Sequence, residues 1–327
     1  MHPVDTLRIS LTDHCNLRCV YCMPKGGIDR LPEGDTLRYD EILRLVRAGV
    51  RVGIRKVRIT GGEPLVRKGV TGFVASLRSV EGVEDICLTT NGVLLKGLAG
   101  PLKRAGLGRV TVSLDTLRPD RYRMITGRGL LHRVLEGIEA VLDAGLSPLK
   151  INVVVIRGTN DDEIVDFARL SVNAPVEVRF IERMPVGTRE ESRGCGLWER
   201  QGVPGREVLR RVEEALGPLE RAQAVVSLPG PARLYRVPGG LGRVGVITPV
   251  THPFCQACTR LRLTPDGKLL SCLFGSTWID VRAALRSGGG GDEEALGRLL
   301  EEAAMRKKRE ATGASSRNGL WMAQIGG

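Results

Sequence analysis

Six of the eight cysteines in this 327-residue chain stand in two triplets. Cys15, Cys19 and Cys22 follow C-x3-C-x2-C, with Tyr21 just before the last; Cys255, Cys258 and Cys272 follow C-x2-C-x13-C near the other end. Each set offers three thiolates rather than four. A structural zinc site wants four closed tetrahedral ligands, which here would require His14 or His252 to complete a set. A [4Fe–4S] cluster held by three thiolates instead leaves one iron open for a ligand that takes part in chemistry. Buried, inert thiols are the third reading.

The elements that must position these groups can be read from periodicity. Strand candidates lie at Asp5–Leu11, Lys56–Thr60, Asp85–Thr89, Arg109–Leu114, Leu149–Ile156 and Val176–Ile181. Amphipathic stretches alternate with them, among them Tyr39–Val52 with Ile42, Leu45, Val46 and Gly49 at helical spacing, and Leu131–Ala144 with Val134, Leu135, Ile138, Val141 and Leu142. Repeated strand-helix units predict an α/β fold with a parallel sheet and right-handed crossovers, its functional groups gathered at the strands' C-terminal ends. The first triplet comes directly after the first strand. Past residue 182 the rhythm breaks. Pro185–Gly205 reads as a long surface loop and Gly205–Leu216 as a helix. Short strands are expected at Arg233–Val237 and Gly242–Ile247, and Arg260–Leu270 as a hairpin turning on Pro265-Asp266-Gly267. Ser287–Gly291 reads as a glycine-rich linker, followed by a charged helix over Asp292–Lys308 and a tail ending in Gly326-Gly327.

Forty-two per cent of residues are apolar and 26% charged, the balance of a globular protein rather than a disordered one. No run approaches the ~20 apolar residues of a membrane span, and the start, Met1 to Asp5, lacks the basic and apolar regions of a signal peptide. A cytoplasmic location is therefore expected, where a reducing environment favours metal-ligand or reactive cysteines over disulfides. The net charge of +12 favours an anionic partner. With only 4% aromatics and dispersed basic residues, a specific nucleic-acid surface is not expected.

The C-x3-C-x2-C spacing after a strand, with its aromatic, resembles the radical S-adenosylmethionine superfamily. Thr60-Gly61-Gly62-Glu63-Pro64 resembles that superfamily's GGEP motif, where glycine lets a backbone approach the cofactor closely and Glu63 can order the loop. Alone it would be an ordinary turn. The matches then extend over nearly the whole chain. Arg8 to Pro24, Lys56–Arg67, Thr89-Thr90-Asn91-Gly92, Val112-Ser113-Leu114-Asp115, Lys150-Ile151-Asn152, Arg179–Gly187, the second triplet and the terminal Ile-Gly-Gly resemble the GTP 3',8-cyclase family of molybdenum cofactor biosynthesis.

That resemblance implies an incomplete six-stranded (β/α)6 TIM-type barrel over residues 1–220. Residues 221–327 would form a C-terminal extension carrying the second cluster, a GTP-binding region and the Gly-Gly tail. It implies two [4Fe–4S] clusters, on Cys15, Cys19 and Cys22 and on Cys255, Cys258 and Cys272. Tyr21, Gly62, Ser113 and Met184 would contact S-adenosylmethionine, and Arg8, Arg58, Thr89, Lys150, Arg260 and Arg262 would contact GTP. A triphosphate carries several negative charges, which forked guanidinium groups suit, and Arg260 and Arg262 alternate onto one face of a strand. Read singly, these bases are solvated strand-end charges, Met184 is packing, and Ser113 and Thr89 cap backbone groups. Gly326 and Gly327 alone read as a frayed end; in the family the tail enters the active site and is needed for activity. Also implied are a homodimer, an electron donor such as flavodoxin or ferredoxin, and a downstream cyclic pyranopterin monophosphate synthase. Cys87 reads as strand packing and Cys195 as a loop thiol without a role. Arg183 and Thr259 depart from the family's usual residues, and the 188–202 loop has no counterpart.

Overall fold

Along each of the first six strands the residues alternate apolar and polar, and the fold sorts them onto two sides of one sheet. In the computed structural model, residues 4–24, 26–184, 201–223, 230–275, 277–286, 292–310 and 320–326 are described. β1 (Thr6–Ser10), β2 (Lys56–Thr60), β3 (Asp85–Thr90), β4 (Arg109–Ser113), β5 (Leu149–Val155) and β6 (Val176–Glu182) pair in parallel in chain order. The six expected strands are all present, their ends within one or two residues of the periodicity. Leu7, Ile9, Val57, Ile59, Val110, Val112, Ile151 and Phe180 face the helices and are almost completely buried. The intervening Arg8, Arg58, Thr111 and Lys150 take the opposite side, because successive strand residues point to opposite faces.

α1 (Tyr39–Arg51), α2 (Val70–Arg78), α3 (Leu95–Arg104), α4 (Pro119–Thr126), α5 (Leu131–Asp143) and α6 (Ile164–Asn173) connect or flank these strands. α1 buries Ile42, Leu45, Val46 and Gly49, the stripe its spacing predicts. The core lies between the sheet's apolar face and these helices, and truncating one of its fully buried leucines, such as Leu45, to alanine would cost ~2–5 kcal/mol.

The later chain joins the same sheet at both edges. β9 (Arg243–Ile247) pairs in parallel with β6, and β10 (Arg260–Leu263) in parallel with β1. β7 (Glu220–Ala222) and β8 (Arg233–Arg236) extend one side antiparallel, β11 (Lys268–Leu270) and β12 (Ile279–Asp280) the other. The order is β12-β11-β10-β1-β2-β3-β4-β5-β6-β9-β8-β7. The hairpin expected at Pro265-Asp266-Gly267 forms between β10 and β11, with Thr264 N–H donating to Lys268 O at 2.9 Å. Helices Gly205–Leu216 and Asp292–Glu310 match their expected positions, and a short helix, Met322–Ile325, ends the chain. The 287–291 linker, Cys195, most of the 185–205 loop and Gly327 lie outside the described residues. Among the described residues no helix is long and apolar enough to cross a membrane.

Candidate active site

The first triplet occupies the loop that leaves β1. Its backbone is anchored on several sides: Leu11 N–H donates to Thr60 O at 2.9 Å, Gly62 N–H to Thr12 O at 2.7 Å, Glu63 N–H to His14 O at 2.8 Å and Arg18 N–H to Thr126 O at 2.8 Å. All seven described cysteines are free thiols. Burial pushes Cys15 up to about 11 and Cys22 up to about 12, and raises Cys19; nearby negative charge adds to this, from Glu63 at Cys15, from Cys22, Asp115 and Cys15 at Cys19, and from Cys15 and Asp115 at Cys22. Three thiolates crowded out of water need cationic charge to stay ionised, which bound iron supplies. Among the described residues no three His, Cys, Asp or Glu are gathered to grip one metal ion. His14 lies 3.7 Å from the Asp13 carboxylate and His252 3.2 Å from the Thr251 hydroxyl. A soft, three-thiolate donor set with no fourth ligand suits an iron–sulfur cluster.

The strand end at Gly61-Gly62 lies flush against this loop. A Cβ on Gly62 would stand 2.4 Å from His14 O and 2.8 Å from Asp13 O, both backbone atoms. Glu63 is fully buried and accepts three hydrogen bonds, from Leu65 N–H (2.9 Å), the Thr90 hydroxyl (2.7 Å) and Asn91 N–H (2.7 Å). Burial lifts it to about 7 against those donors. Glu63 thus fastens the ends of β2 and β3 together, and Asn91 reaches on to Asn16 at 2.6 Å. The Tyr21 hydroxyl donates to Asp115 at 2.5 Å, and Asp115 also accepts Val154 N–H at 2.8 Å. Burial raises Asp115 to about 6. The ends of β1 to β5 are therefore tied to the cysteine loop by carboxylates. Ser113 ends β4 on the same side. Met184 lies half-buried two residues past β6, and among the described residues no hydrogen bond or ion pair ties it to the others.

The polar face of the sheet is basic. Register sets Arg8 directly between Arg58 and Arg262. Arg58 donates to Thr89 Oγ1 at 3.2 Å and to Thr111 Oγ1 at 3.3 Å, joining two expected substrate contacts. Burial, then repulsion from Arg262, Arg58 and Arg260, holds Arg8 well below the usual guanidinium range, and burial with Arg260 brings Arg262 to about 10. Lys150, 3.9 Å from Glu177, is brought to about 7 by burial and then by Arg179. Cations pressed against one another out of water are unfavourable until an anion arrives. Sequence reasoning missed Lys56, Arg109 and Arg179, which are buried on this face and paired with Asp85 or Glu177. Their signal was present: each stands an even number of residues from Arg58, Thr111 or Lys150 on its own or a registered strand.

Cys255 and Cys258 precede β10, and Cys272 follows β11. Burial would raise Cys258, but Arg260, whose Nε lies 3.3 Å from its sulfur, and Lys307 bring it down to about 6. Burial and repulsion from Cys272 and Cys258 raise Cys255. Lys307 is itself buried and donates to Ser271 O at 2.8 Å. Nothing in the sequence marked it, since it lies in a helix of charged residues. Buried Glu182 accepts Val250 N–H (3.1 Å) and Thr251 N–H (2.9 Å), tethering the approach to this triplet to the end of β6.

The tail joins the two regions. Ala323 N–H donates to the Cys22 thiol, and the Gly326 carbonyl accepts from Arg262 at 2.8 Å and Arg8 at 3.5 Å. Gly326 is buried at φ +69°, and a Cβ there would stand 2.4 Å from Thr60 Cγ2. The tail is therefore docked through Gly326.

Comparisons with known proteins agree with this arrangement. Residues 9–171 match the family model described as Radical SAM superfamily, and residues 176–313 the one described as Molybdenum Cofactor Synthesis C. A GTP 3',8-cyclase of Pelotomaculum thermopropionicum is 48% identical, covering 99% of this chain and 98% of that protein. One from Moorella thermoacetica is 47% identical with the same coverage. Among solved structures, Streptococcus suis SuiB bound to S-adenosylmethionine superposes with a TM-score of 0.59 at 15% identity, covering 85% of this chain and 63% of that one. It shares the fold. With near-complete alignment to the cyclases and both family models matched in order, the chain belongs to the GTP 3',8-cyclase family of the radical S-adenosylmethionine superfamily.

Proposed function

We propose that this enzyme converts GTP to 3',8-cyclo-7,8-dihydro-GTP, an early step of molybdenum cofactor biosynthesis, by removing the C3' hydrogen so that this carbon attacks C8 of the guanine. The observation that carries the reading is the juxtaposition of the Cys15, Cys19 and Cys22 loop with a buried basic face whose arginines repel one another. A peptide substrate would leave that repulsion uncompensated.

When bound at the first triplet, a [4Fe–4S] cluster and S-adenosylmethionine together supply the 5'-deoxyadenosyl radical. The protein's work is placement. Gly62 lets the strand end lie close to the cofactor's amino end, while Tyr21, Ser113 and Met184 line its other contacts, Tyr21 fixed by Asp115. Arg8, Arg58, Lys150, Arg260 and Arg262 hold the phosphates and orient the ribose, with Thr89 fixed by Arg58. Cys255, Cys258 and Cys272 would hold a second [4Fe–4S] cluster, which would supply an open iron as a binding point for the guanine base. Gly326 and Gly327 complete the site, Gly326 at a position where a side chain would collide with Thr60. The six parallel strands are read as an incomplete TIM-type barrel covering residues 1–220, with 221–327 carrying the second cluster. The enzyme works in the cytoplasm as a homodimer. It takes electrons from a flavodoxin- or ferredoxin-type donor and passes its product to a cyclic pyranopterin monophosphate synthase.

The test is anaerobic: reconstitute with iron and sulfide, add S-adenosylmethionine and dithionite, and quantify 5'-deoxyadenosine with and without GTP. GTP consumption to a cyclised product supports the reading. If 5'-deoxyadenosine forms but GTP is untouched, the substrate assignment fails.

A further inference from the structure

Cys19 stands between two residues that open to solvent. Arg18 N–H and Val20 N–H donate to Thr126 O (2.8 Å) and Ile125 O (3.0 Å), laying this part of the cysteine loop along the last turn of α4. The alternate side chains then turn outward: Arg18 is exposed and Val20 is 62% exposed. On the adjoining turn Met124 is 61% exposed, flanked by exposed Arg123 and Arg128. Single exposed apolar residues are ordinary. Two on adjoining segments, with exposed Arg18, Arg123 and Arg128 near them in sequence, give apolar side chains among positive charges, as at a transient docking site. The acids nearest in sequence are Asp120, one turn back on α4, Asp13 and Asp115, both buried, exposed Asp29, and Glu136, which is paired with Lys96; Asp162 and Glu163, further along the chain, are taken up by Arg118 and Arg121. The opposite side of the loop is covered by Asn91, Gly62 and the Ala323 tail. Among the described residues, the outer edge beside Cys19 therefore carries exposed side chains, Arg18 and Val20, while the opposite side faces the strand ends.

We infer that Arg18, Val20, Arg123, Met124 and Arg128 form the docking face for a small acidic one-electron carrier protein. This rests on the proposed radical chemistry. One electron would leave the carrier's reduced cofactor and arrive at the cluster that Cys19 would help to hold, Cys19 being flanked in sequence by the exposed Arg18 and Val20. Opposite charges speed and orient such an encounter without requiring a large interface.

The test compares two reductants on the reconstituted enzyme, following 5'-deoxyadenosine. With reduced flavodoxin as probe, Arg123→Glu/Arg128→Glu is expected to raise the KM for flavodoxin about tenfold, and added salt to raise the wild-type KM. With dithionite, which needs no docking, the same variant should match wild type. Arg47→Glu, a charge reversal elsewhere on α1, should leave both unchanged. An unaltered flavodoxin KM in the double variant, or an equal rise in Arg47→Glu, would overturn the assignment. Should the double variant lose its dithionite rate, Arg123→Gln/Arg128→Gln decides by the same comparison. Absence of 5'-deoxyadenosine from wild type with dithionite would sink the proposed reaction instead; the docking face would then stand or fall on whether Arg123→Glu/Arg128→Glu weakens flavodoxin binding in calorimetry.

Discussion

Replacing Gly326 by alanine isolates the contribution of the docked tail. The new Cβ would stand 2.4 Å from Thr60 Cγ2, 3.1 Å from Thr60 Oγ1 and 3.3 Å from Gly61 N, at φ +69°. Neither neighbour can retreat easily, because Thr60 O and Gly62 N–H are held to the cysteine loop at 2.9 and 2.7 Å. The backbone conformation alone costs an L-residue about 1–2 kcal/mol, and relieving the overlap pulls the carbonyl from Arg262, a charge-assisted bond worth about 1.5–3 kcal/mol. The conformational part by itself lowers the docked-to-undocked ratio about 5- to 30-fold. Hydrogen exchange of the 320–326 amides should accelerate by at least that factor, and GTP turnover should fall with it while iron content stays constant. Adding Thr60→Ser deletes the methyl in the overlap and keeps the hydroxyl, so the double variant should recover part of the protection. Wild-type protection in Gly326→Ala, or no recovery on adding Thr60→Ser, would refute the steric account.

Three further outcomes are expected. Gly62→Ala places a methyl 2.4 Å from His14 O, a backbone atom, and should prevent stable iron loading at the first triplet while the far-ultraviolet circular dichroism stays folded; normal iron content would contradict it. Lys150 sits at about 7 without an anion, so GTP should bind with proton uptake and its affinity should weaken as pH rises above 7; calorimetry at about pH 8 in buffers of different ionisation enthalpy should show the uptake, and Lys150→Met should abolish it. Lys307→Met removes the ammonium that faces Cys255 and Cys258 and anchors Ser271, so the second cluster should become harder to reduce and easier to lose, read by potentiometric titration; an unshifted potential would remove Lys307 from that role.

Much of the fold was legible because its signals are local. Strand alternation and helical stripes depend only on neighbours a few residues apart, and the expected β2, α1, α5 and Gly205–Leu216 agree with the structure within a residue. The pairing of β9 with β6 and of β10 with β1 was not legible, since nothing local in Arg260–Leu263 says that its partner is Thr6–Ile9. The site divides the same way. Cysteine spacing and the Gly-Gly-Glu-Pro turn declare themselves, and the strand-end bases came from the family's pattern. Arg179 needed the register to show which face it shares with Lys150, whereas Lys56 stands two residues from Arg58 on the same strand and could have been read from alternation alone. Lys307 became visible only when the helix Asp292–Glu310 was seen to bury it against Ser271, because a lysine in a charged helix has no sequence mark of burial.

That pairing of β1 with β10 has a consequence for how the chain is made. β1 leaves the ribosome first, yet one of its two neighbours comes from residues 260–263, and β6 likewise waits for residues 243–247. The roughly eighty residues between Glu182 and Leu263 take about 4–16 s to synthesise at about 5–20 residues per second. Until Ile247 is made a nearly complete parallel sheet has two open edges, and from there to Leu263 it still has one, each a template for pairing with another chain. Late-synthesised strands therefore act as built-in seals, and ribosomes paused or truncated before Leu263 should yield a nascent chain that binds chaperones or aggregates rather than a smaller stable domain.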